Sequence, residues 1–352
     1  MSKANPIILE TDMHEDEDEF VTQSVVKAVP RISIEVFCES PDTGVVIQRA
    51  GEDRRLAKAH LTVHMGGISA AVKYYADTGT PSLIIVESRD GGETLFNQLG
   101  ALAEVCDAGT KVIIVGHLND ITLYREMIRQ GVNEYLVAPL APLQIVDSIS
   151  RLYADPDAPP IGRSIVFTGA RGGVGSSTIA HNVSWCVAEG MREDVTLIDL
   201  DLPFGTAGLD FNQDPAQTIA MALDRDEEIS ADACESVIEA VRETCPCVVV
   251  DLPNVWNRWS RQTLLNADEI VITATPDLAS LRNTKNYIDL IKKFRTNDTA
   301  PHVVLNQVRM PKRPEISPAD FADAIEQEPT LILPFNPVLF GTAANNGQML
   351  DE

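Results

Sequence analysis

Short apolar runs alternate with segments of helical periodicity along residues 31–153. Four of these runs are rich in β-branched residues, as expected for buried parallel strands. They read ISIEVFCES, PSLIIVES, KVIIVGH and EYLVAPL. Two intervening segments, GGETLFNQLGALAEVCDAG and DITLYREMIRQG, have the spacing of amphipathic helices. This alternation predicts an α/β domain with a doubly wound parallel sheet that carries helices on both faces.

The same alternation returns from residue 163 to the end of the chain. The apolar runs that predict strands there are RSIVFTGA, DVTLIDLDL, CVVVDLPN, EIVITATP and HVVLNQVR. The segments with helical spacing are STIAHNVSWCVAEG, CESVIEAVRE and TKNYIDLIKKF. A second doubly wound parallel sheet is therefore expected in residues 163–352.

Two segments lack these patterns. ADPDAPPIG, residues 154–162, concentrates Pro, Asp and Gly between the two blocks, which is typical of an inter-domain linker. Residues 1–30 carry the acidic run HEDEDEF without an apolar period, so they are predicted to be a disordered tail, with partner binding as the alternative. A chain of 352 residues also exceeds the size of one usual core, about 250 residues.

Charge and hydropathy exclude several classes of function. The formal net charge of −24 opposes binding to nucleic acid and to anionic lipid. No apolar run approaches the roughly 18 residues of a membrane span, and the N-terminus lacks the pattern of a secretion signal. The expectation is a cytoplasmic protein without a nucleic-acid partner, with indirect membrane association left open. The six cysteines form no CxxC pair, so reduced thiols are favoured over zinc ligation, also at Cys245 and Cys247.

A glycine-rich loop follows the first strand of the second block. RGGVGSST, residues 171–178, lies between this strand and a predicted helix, the context in which such a loop binds phosphate. Gly172, Gly173 and Gly175 allow successive N–H groups to converge, and the helix start adds its positive end. The pattern predicts a site for nucleotide phosphates. A purely structural loop is the alternative.

This loop resembles the deviant Walker A motif of the MinD/ParA family, usually written KGGVGKT. The resemblance covers the second domain and implies a site for ATP and Mg2+ built from Arg171, Gly172, Gly173, Val174, Gly175, Ser176, Ser177 and Thr178. Arg171 replaces the signature lysine, and its cation is expected to do related work across a dimer. Ser176 replaces the lysine that reaches the terminal phosphates, whereas Ser177 matches the hydroxyl that ligates magnesium. Weaker nucleotide binding and weak or absent hydrolysis are expected.

Carboxylates end two apolar strands of the second block. Asp199 and Asp201 follow the run DVTLI, and Asp251 follows four apolar residues in a Walker B pattern. The resemblance implies that Asp199 and Asp251 face the magnesium, and that Asp201 is the catalytic candidate beside the attacking water. Capping of the following turn is the alternative for each carboxylate. The resemblance also places Asn306 near the adenine, and LPFNP, residues 333–337, on the other side of the base.

The first domain resembles the receiver domain of response regulators in the order and spacing of its strands. Phosphoryl chemistry in that domain needs an Asp after the third strand, a hydroxyl after the fourth and a Lys after the fifth. This sequence has Glu87, Gly116 and Ala138 there, so partner docking is expected instead of phosphorylation. His60 and His64 are spaced one helical turn apart, but HLTVH lacks a third ligand, and a metal site is not favoured.

The chain combines a receiver-like domain that lacks its phosphorylation residues with a MinD/ParA-type P-loop. This combination resembles the TadZ/CpaE family of pilus assembly proteins. The resemblance implies a cytoplasmic protein at the cell pole that localises or assembles the Tad (Flp) pilus secretion machinery. It implies an ATP-binding homodimer or scaffold. The alternative is a ParA-like ATPase that partitions DNA or cargo. The balance of 28 Lys and Arg against 52 Asp and Glu argues against its binding DNA.

Overall fold

The first domain is a five-stranded parallel sheet in the order β2-β1-β3-β4-β5. The computed structural model describes residues 26–154, 161–213 and 231–351. The strands are β1 Ser33–Cys38, β2 His60–Met65, β3 Leu83–Glu87, β4 Lys111–Gly116 and β5 Glu134–Val137. The helices are α1 Pro41–Gly51, α2 Gly67–Tyr75, α3 Gly92–Val105, α4 Ile121–Arg129 and α5 Pro142–Tyr153, with a 3-10 turn at Arg54–Leu56.

Both faces of this sheet are buried under helices. Successive side chains of a strand point to opposite faces, so neighbouring residues of one strand pack into different apolar clusters. Ile34 and Val36 of β1 pack into one apolar cluster, which also contains residues of α1 and α5. Phe37, between Val36 and Cys38, packs into the cluster on the other face with residues of α2 and α3. The near-continuous apolar runs of the sequence are thus explained by helices on both sides of the sheet.

The second domain is a six-stranded parallel sheet in the order β11-β10-β9-β6-β8-β7. Its strands are β6 Arg163–Gly169, β7 Val195–Asp199, β8 Cys247–Leu252, β9 Glu269–Ala274, β10 His302–Val308 and β11 Leu331–Pro334. Its described helices are α6 Ser176–Trp185, α7 Ala207–Asp210, α8 Ala231–Arg242, α9 Arg258–Asn266, α10 Leu278–Phe294, α11 Pro318–Ile325 and α12 Pro337–Asn346. A π-helical turn, Cys186–Met191, extends α6. Because β6 lies between β8 and β9, the loop after β6 opens at the point where the winding of the sheet reverses.

The predicted fold class, two parallel α/β sheets, is confirmed. The helical interpretation of HLTVH was wrong: His60 and His64 lie on β2, which pairs with β1 in the register His64 to Phe37. The His64 ring stacks on Phe37 with ring centroids 4.8 Å apart. Most of the predicted acidic tail and residues 155–160 of the predicted linker lie outside the described residues. Among the helices that the structure describes, none is both long and apolar enough to cross a membrane.

The two domains meet at the edges where their strands begin. Asp298, in the turn before β10, accepts a hydrogen bond from Arg54 Nε at 3.1 Å and another from the Arg55 guanidinium. Arg54 Nη1 also donates to the Asn266 carbonyl at 2.9 Å, ahead of β9. Asn297 Nδ2 donates to Asp53 at 3.1 Å. Since these contacts join the amino ends of both sheets, the carboxyl ends, where ligands bind in such folds, remain clear of this interface.

Candidate functional site

The loop between β6 and α6 has the backbone conformation of an anion nest. Gly173 and Gly175 have φ angles of +78° and +88°, in the left-handed region that favours glycine. Gly175 is also the residue that caps the start of α6. The N–H groups of Gly173, Val174 and Gly175 donate to no oxygen within the described part of the chain. Free N–H groups at a helix start are the arrangement that binds phosphate oxygens.

Two side chains of strand β10 donate hydrogen bonds to carbonyl groups of this loop. Asn306 is 5% exposed, and its Nδ2 donates to the Val174 carbonyl at 2.8 Å. Gln307 Nε2 donates to the Gly173 carbonyl at 3.2 Å. The structure therefore gives Asn306 a contact with the phosphate loop that the family resemblance did not imply. Gln307 was missed in the sequence, where its position next to Asn306 at the end of a strand was the available signal.

Arg171, at the start of the loop, is bound within its own chain. Its Nε donates to Ser280 Oγ at 3.2 Å, and its Nη2 donates to Thr275 Oγ1 at 3.2 Å and to Asp277 Oδ2 at 2.9 Å. Burial would raise the pKa of Asp277, but hydrogen bonds from Thr275, Ser280 and Arg171 outweigh it and lower the pKa to about 2. The guanidinium thus fastens the loop to the turn between β9 and α10.

The hydroxyl residues of the loop occupy the first turn of α6. Ser176 Oγ is buried and has no hydrogen-bond partner among the described residues. At this position Ser176 carries a neutral hydroxyl and no cation. The Ser177 hydroxyl acts on Asp251, where it lowers the pKa of the carboxyl group. Thr178 follows on the same turn, and its carbonyl accepts from Asn182 Nδ2 at 2.8 Å.

The structure brings Asp199 and Asp251 side by side, because β7 and β8 pair in the register Asp199 to Asp251. Asp251 is 3% exposed. Burial raises its pKa to about 6, the Ser177 hydroxyl opposes this, and the Asp199 charge adds to it. Asp199 Oδ1 accepts from the Asp201 N–H at 2.9 Å, and its Oδ2 accepts from the Ala207 N–H at 3.4 Å.

Asp201 has a different environment from these two carboxylates. Its Oδ1 accepts from the Phe204 N–H at 3.3 Å, and its carbonyl accepts from the same N–H at 3.2 Å. This is the turn-capping contact that the sequence left open as an alternative. The catalytic assignment of Asp201 stays a prediction.

These residues fit a nucleotide phosphate with magnesium. A Cβ at Gly175 would lie 2.7 Å from Asn306 Nδ2, so the loop is closely supported on one side, while a Cβ at Gly172 or Gly173 would meet nothing. Ser177, Asp199 and Asp251 supply the oxygen ligands that Mg2+ prefers.

Glu87 closes the corresponding edge of the first sheet. Its Oε2 accepts from the N–H groups of Glu39 and Ser40, both at 2.8 Å. Its Oε1 accepts from Ser40 Oγ and Thr43 Oγ1 at 2.8 Å, and His117 Nε2 lies 3.0 Å away. Burial would raise the pKa of Glu87, but the bonds from Ser40, Thr43 and His117 outweigh it and lower the pKa.

The space beside Glu87 is also filled where a receiver domain would need a hydroxyl. A Cβ at Gly116 would overlap the Tyr135 hydroxyl, which donates to the Leu118 carbonyl at 2.8 Å. Tyr135 therefore requires glycine at position 116. Both Glu87 oxygens already accept hydrogen bonds from the chain's own N–H groups and hydroxyls.

The sheet order, the phosphate loop and the paired strand-end carboxylates define a P-loop domain of the MinD/ParA type, preceded by a receiver-like domain. No family model matches the sequence. The septum site-determining protein MinD of Thermotoga maritima is 23% identical over 193 residues, which cover 46% of this chain and 70% of that protein.

Two solved structures show the family. A pilus assembly protein CpaE from Caulobacter crescentus is 50% identical and covers 37% of this chain and 98% of its own, with a TM-score of 0.36. A putative CpaE2 pilus assembly protein from Sinorhizobium meliloti is 41% identical, covering 34% of this chain and 98% of its own, with a TM-score of 0.33. The chain belongs to the CpaE family of MinD/ParA-type proteins.

Proposed function

We propose that this protein assembles or localises a Tad (Flp) pilus at the cell pole, as an ATP-binding homodimer or scaffold with weak or absent hydrolysis. The observation that carries the nucleotide part is the loop of residues 171–175, in which two glycines are left-handed and three N–H groups donate to no oxygen of the described residues. The CpaE relatives, named as pilus assembly proteins, support the cellular part.

In the proposed complex, backbone N–H groups of Gly173, Val174 and Gly175 bind the phosphates. Ser177 and Asp251 hold magnesium, with Asp199 beside them. The bound ion supplies the positive charge that offsets the phosphate oxygens. Because Ser176 is neutral, a large part of this compensation depends on the ion.

Weak hydrolysis follows from the same arrangement. Stabilisation of the transferred phosphoryl group relies on cations at the terminal phosphate. Ser176 supplies none, and Arg171 is already bound to Asp277. The protein therefore acts through its nucleotide-bound state, and turnover is slow.

The first domain acts as a docking module. Its Glu87 edge is occupied by internal hydrogen bonds, whereas α4 presents Ile121, Tyr124 and Ile128 to solvent. Exposed apolar side chains grouped on one helix are typical of protein contact surfaces. The pilus components that the protein recruits are proposed to bind through this domain.

Replacing Gly175 with alanine is expected to weaken ATP binding at least tenfold. The left-handed φ of +88° strains any residue with a Cβ, and that atom would lie 2.7 Å from Asn306 Nδ2, displacing the strand contact that supports the loop. Equilibrium dialysis with labelled ATP and Mg2+ measures the change. Gly190→Ala is the matched control, because a Cβ there meets no neighbour and no left-handed φ is involved. Equal affinities of wild type and Gly175→Ala would contradict the phosphate-loop assignment.

The cellular role is tested by complementation. A strain that lacks this protein is expected to lose surface pili, and wild-type protein but not Gly175→Ala is expected to restore them, as counted by electron microscopy. A gel-shift assay at low salt distinguishes the proposed role from that of a ParA-like DNA-partition protein, because a partition protein retards the migration of any DNA duplex. The net charge of −24 predicts no shift for this protein. Normal numbers of surface pili in the strain that lacks the protein would contradict the proposed role.

A further inference from the structure

A fully buried imidazole faces the two carboxylates of the site. His181 is 0% exposed and lies on α6 four residues after Ser177, hence on the same side of the helix. Its Nε2 is 3.7 Å from Asp251 Oδ2 and has no hydrogen-bond partner among the described residues. A distance of 3.7 Å is too long for a hydrogen bond. The nitrogen is thus aimed at the carboxylates without being satisfied by them.

The opposite ring nitrogen is held by a third carboxylate. His181 Nδ1 lies 2.7 Å from Asp210 Oδ2, which also accepts from Thr206 Oγ1 at 3.1 Å. An ionised carboxylate only accepts, so the contact with Asp210 places a proton on Nδ1, and the tautomer protonated there presents a lone pair at Nε2. A histidine whose second nitrogen donates to a carboxylate is the usual arrangement around metal-ligating histidines, because the carboxylate sets the tautomer and raises the basicity of the ligand.

We propose that His181 Nε2, Asp199 and Asp251 bind a divalent first-row transition-metal ion directly, and do so without nucleotide. One ligand atom from each residue lies within 4.8 Å of the others. Ligands about 2.1 Å from one ion are separated by about 3–3.5 Å, so side-chain movements on the order of an ångström complete the site. The inference rests on the proposed nucleotide site in that it shares Asp199 and Asp251 with it.

The donor set selects the kind of ion. Mg2+ takes oxygen ligands and retains its waters, whereas one imidazole with two carboxylates suits ions such as Mn2+ and Zn2+. The remaining coordination positions stay open to water or to a phosphate oxygen. The bound ion would supply positive charge close to the phosphates, which the neutral Ser176 does not. It would thereby compensate for the lysine that the family resemblance implies at position 176.

The test uses Mn2+ with the full chain, free of nucleotide and Mg2+. Mn2+ is chosen because Cys186 is exposed and thiols compete for Zn2+. Titration followed by electron paramagnetic resonance is expected to show one bound ion per chain, and pulsed measurement is expected to show coupling to a directly bound 14N nucleus. His181→Ala is expected to abolish that coupling and weaken Mn2+ binding at least tenfold. His302→Ala is the control, because His302 lies on β10 and is paired with Glu269 of β9. This variant is expected to retain the nitrogen coupling and the affinity for Mn2+.

Asp210→Asn provides a second variant that keeps His181 in place. Loss of the carboxylate that orients the ring is expected to weaken Mn2+ binding about 10- to 100-fold. Bound Mn2+ without nitrogen coupling would place the ion on carboxylates alone and overturn the proposal. Absence of Mn2+ binding would overturn it too.

Binding of labelled ATP to the same proteins, measured by equilibrium dialysis with and without EDTA, separates this proposal from the proposed function. Nitrogen-coupled Mn2+ without any ATP binding supports the metal site and refutes the nucleotide function. ATP binding that is unaffected by His181→Ala, together with wild-type protein that lacks nitrogen coupling, refutes the metal site and leaves the nucleotide function standing.

Discussion

Replacing Asp298 with asparagine is expected to lower the free energy of unfolding by about 3–5 kcal/mol and to loosen the contact between the two domains. The Asp298 side chain is 7% exposed and lies among Arg54, Arg55 and Arg295, whose side chains are 20%, 11% and 3% exposed. Asparagine preserves the shape but carries no charge. Three arginines would then remain in a largely buried place without that partner.

The titration of Asp298 agrees with this role. Burial would raise its pKa, but Arg295, Arg54 and Arg55 outweigh burial and lower it. The carboxylate therefore stabilises the fold at neutral pH, and this contribution is lost as the pH falls from the ordinary Asp pKa through the lower folded one.

Chemical denaturation followed by circular dichroism measures the loss, and limited proteolysis between residues 154 and 162 reports on domain separation. Asp289→Asn on α10 is the control, because this side chain is exposed. A change in unfolding free energy within about 0.5 kcal/mol, the usual range for surface substitutions, would show that the charge cluster does not join the domains.

Replacing Glu87 with glutamine is expected to destabilise the first domain by about 2–4 kcal/mol. Hydrogen bonds to a buried charged group are worth about 1.5–3 kcal/mol each, and a buried donor without an acceptor is costly. Glu87 is 1% exposed and accepts from two backbone N–H groups and two hydroxyls. A glutamine amide replaces one acceptor by a donor, so either the N–H groups or the hydroxyls lose their carboxylate partner.

The pH dependence gives a second readout. Because the folded pKa of Glu87 lies below its ordinary value of 4.5, its contribution is present above that value and is lost as the pH falls through the folded pKa. The stability difference between wild type and Glu87→Gln should therefore be largest at neutral pH and shrink in acid. Urea denaturation at several pH values measures it, with exposed Glu104→Gln on α3 as control. A difference that does not change with pH would contradict an ionised Glu87.

The same contacts predict that phosphodonors leave the first domain unmodified. Glu87 cannot form the usual aspartyl phosphate, and its oxygens are directed at Ser40, Thr43 and two N–H groups. Mass spectrometry after incubation with a small-molecule phosphodonor is expected to show no added phosphoryl group on this domain.

The periodicity of the sequence was sufficient for the fold class. Parallel sheets buried on both faces need apolar runs, and the helices between them need amphipathic spacing, so each element carries its own local signal. Strands β2 and β11 were the exceptions. HLTVH carries two histidines and pairs as a strand with β1, and Leu331–Pro334, which was not among the predicted strands, pairs with β10. The position of the glycine-rich loop between a strand and a helix was equally local, because its glycine spacing is readable within eight residues.

The partners of the site residues were decided by tertiary structure. Arg171 and Asp277 are 106 positions apart in the chain, and Asn306 and Val174 are 132 apart. His181 was overlooked because a lone histidine on a helix has no distinctive pattern until β7 and β8 place Asp199 and Asp251 opposite it. The sequence by itself determined most of the strands and helices and the glycine-rich loop between β6 and α6, since those depend on neighbours within a few residues. Which side chains share a hydrogen bond or a charge depends on strand order and packing, and these arise only when distant segments come together.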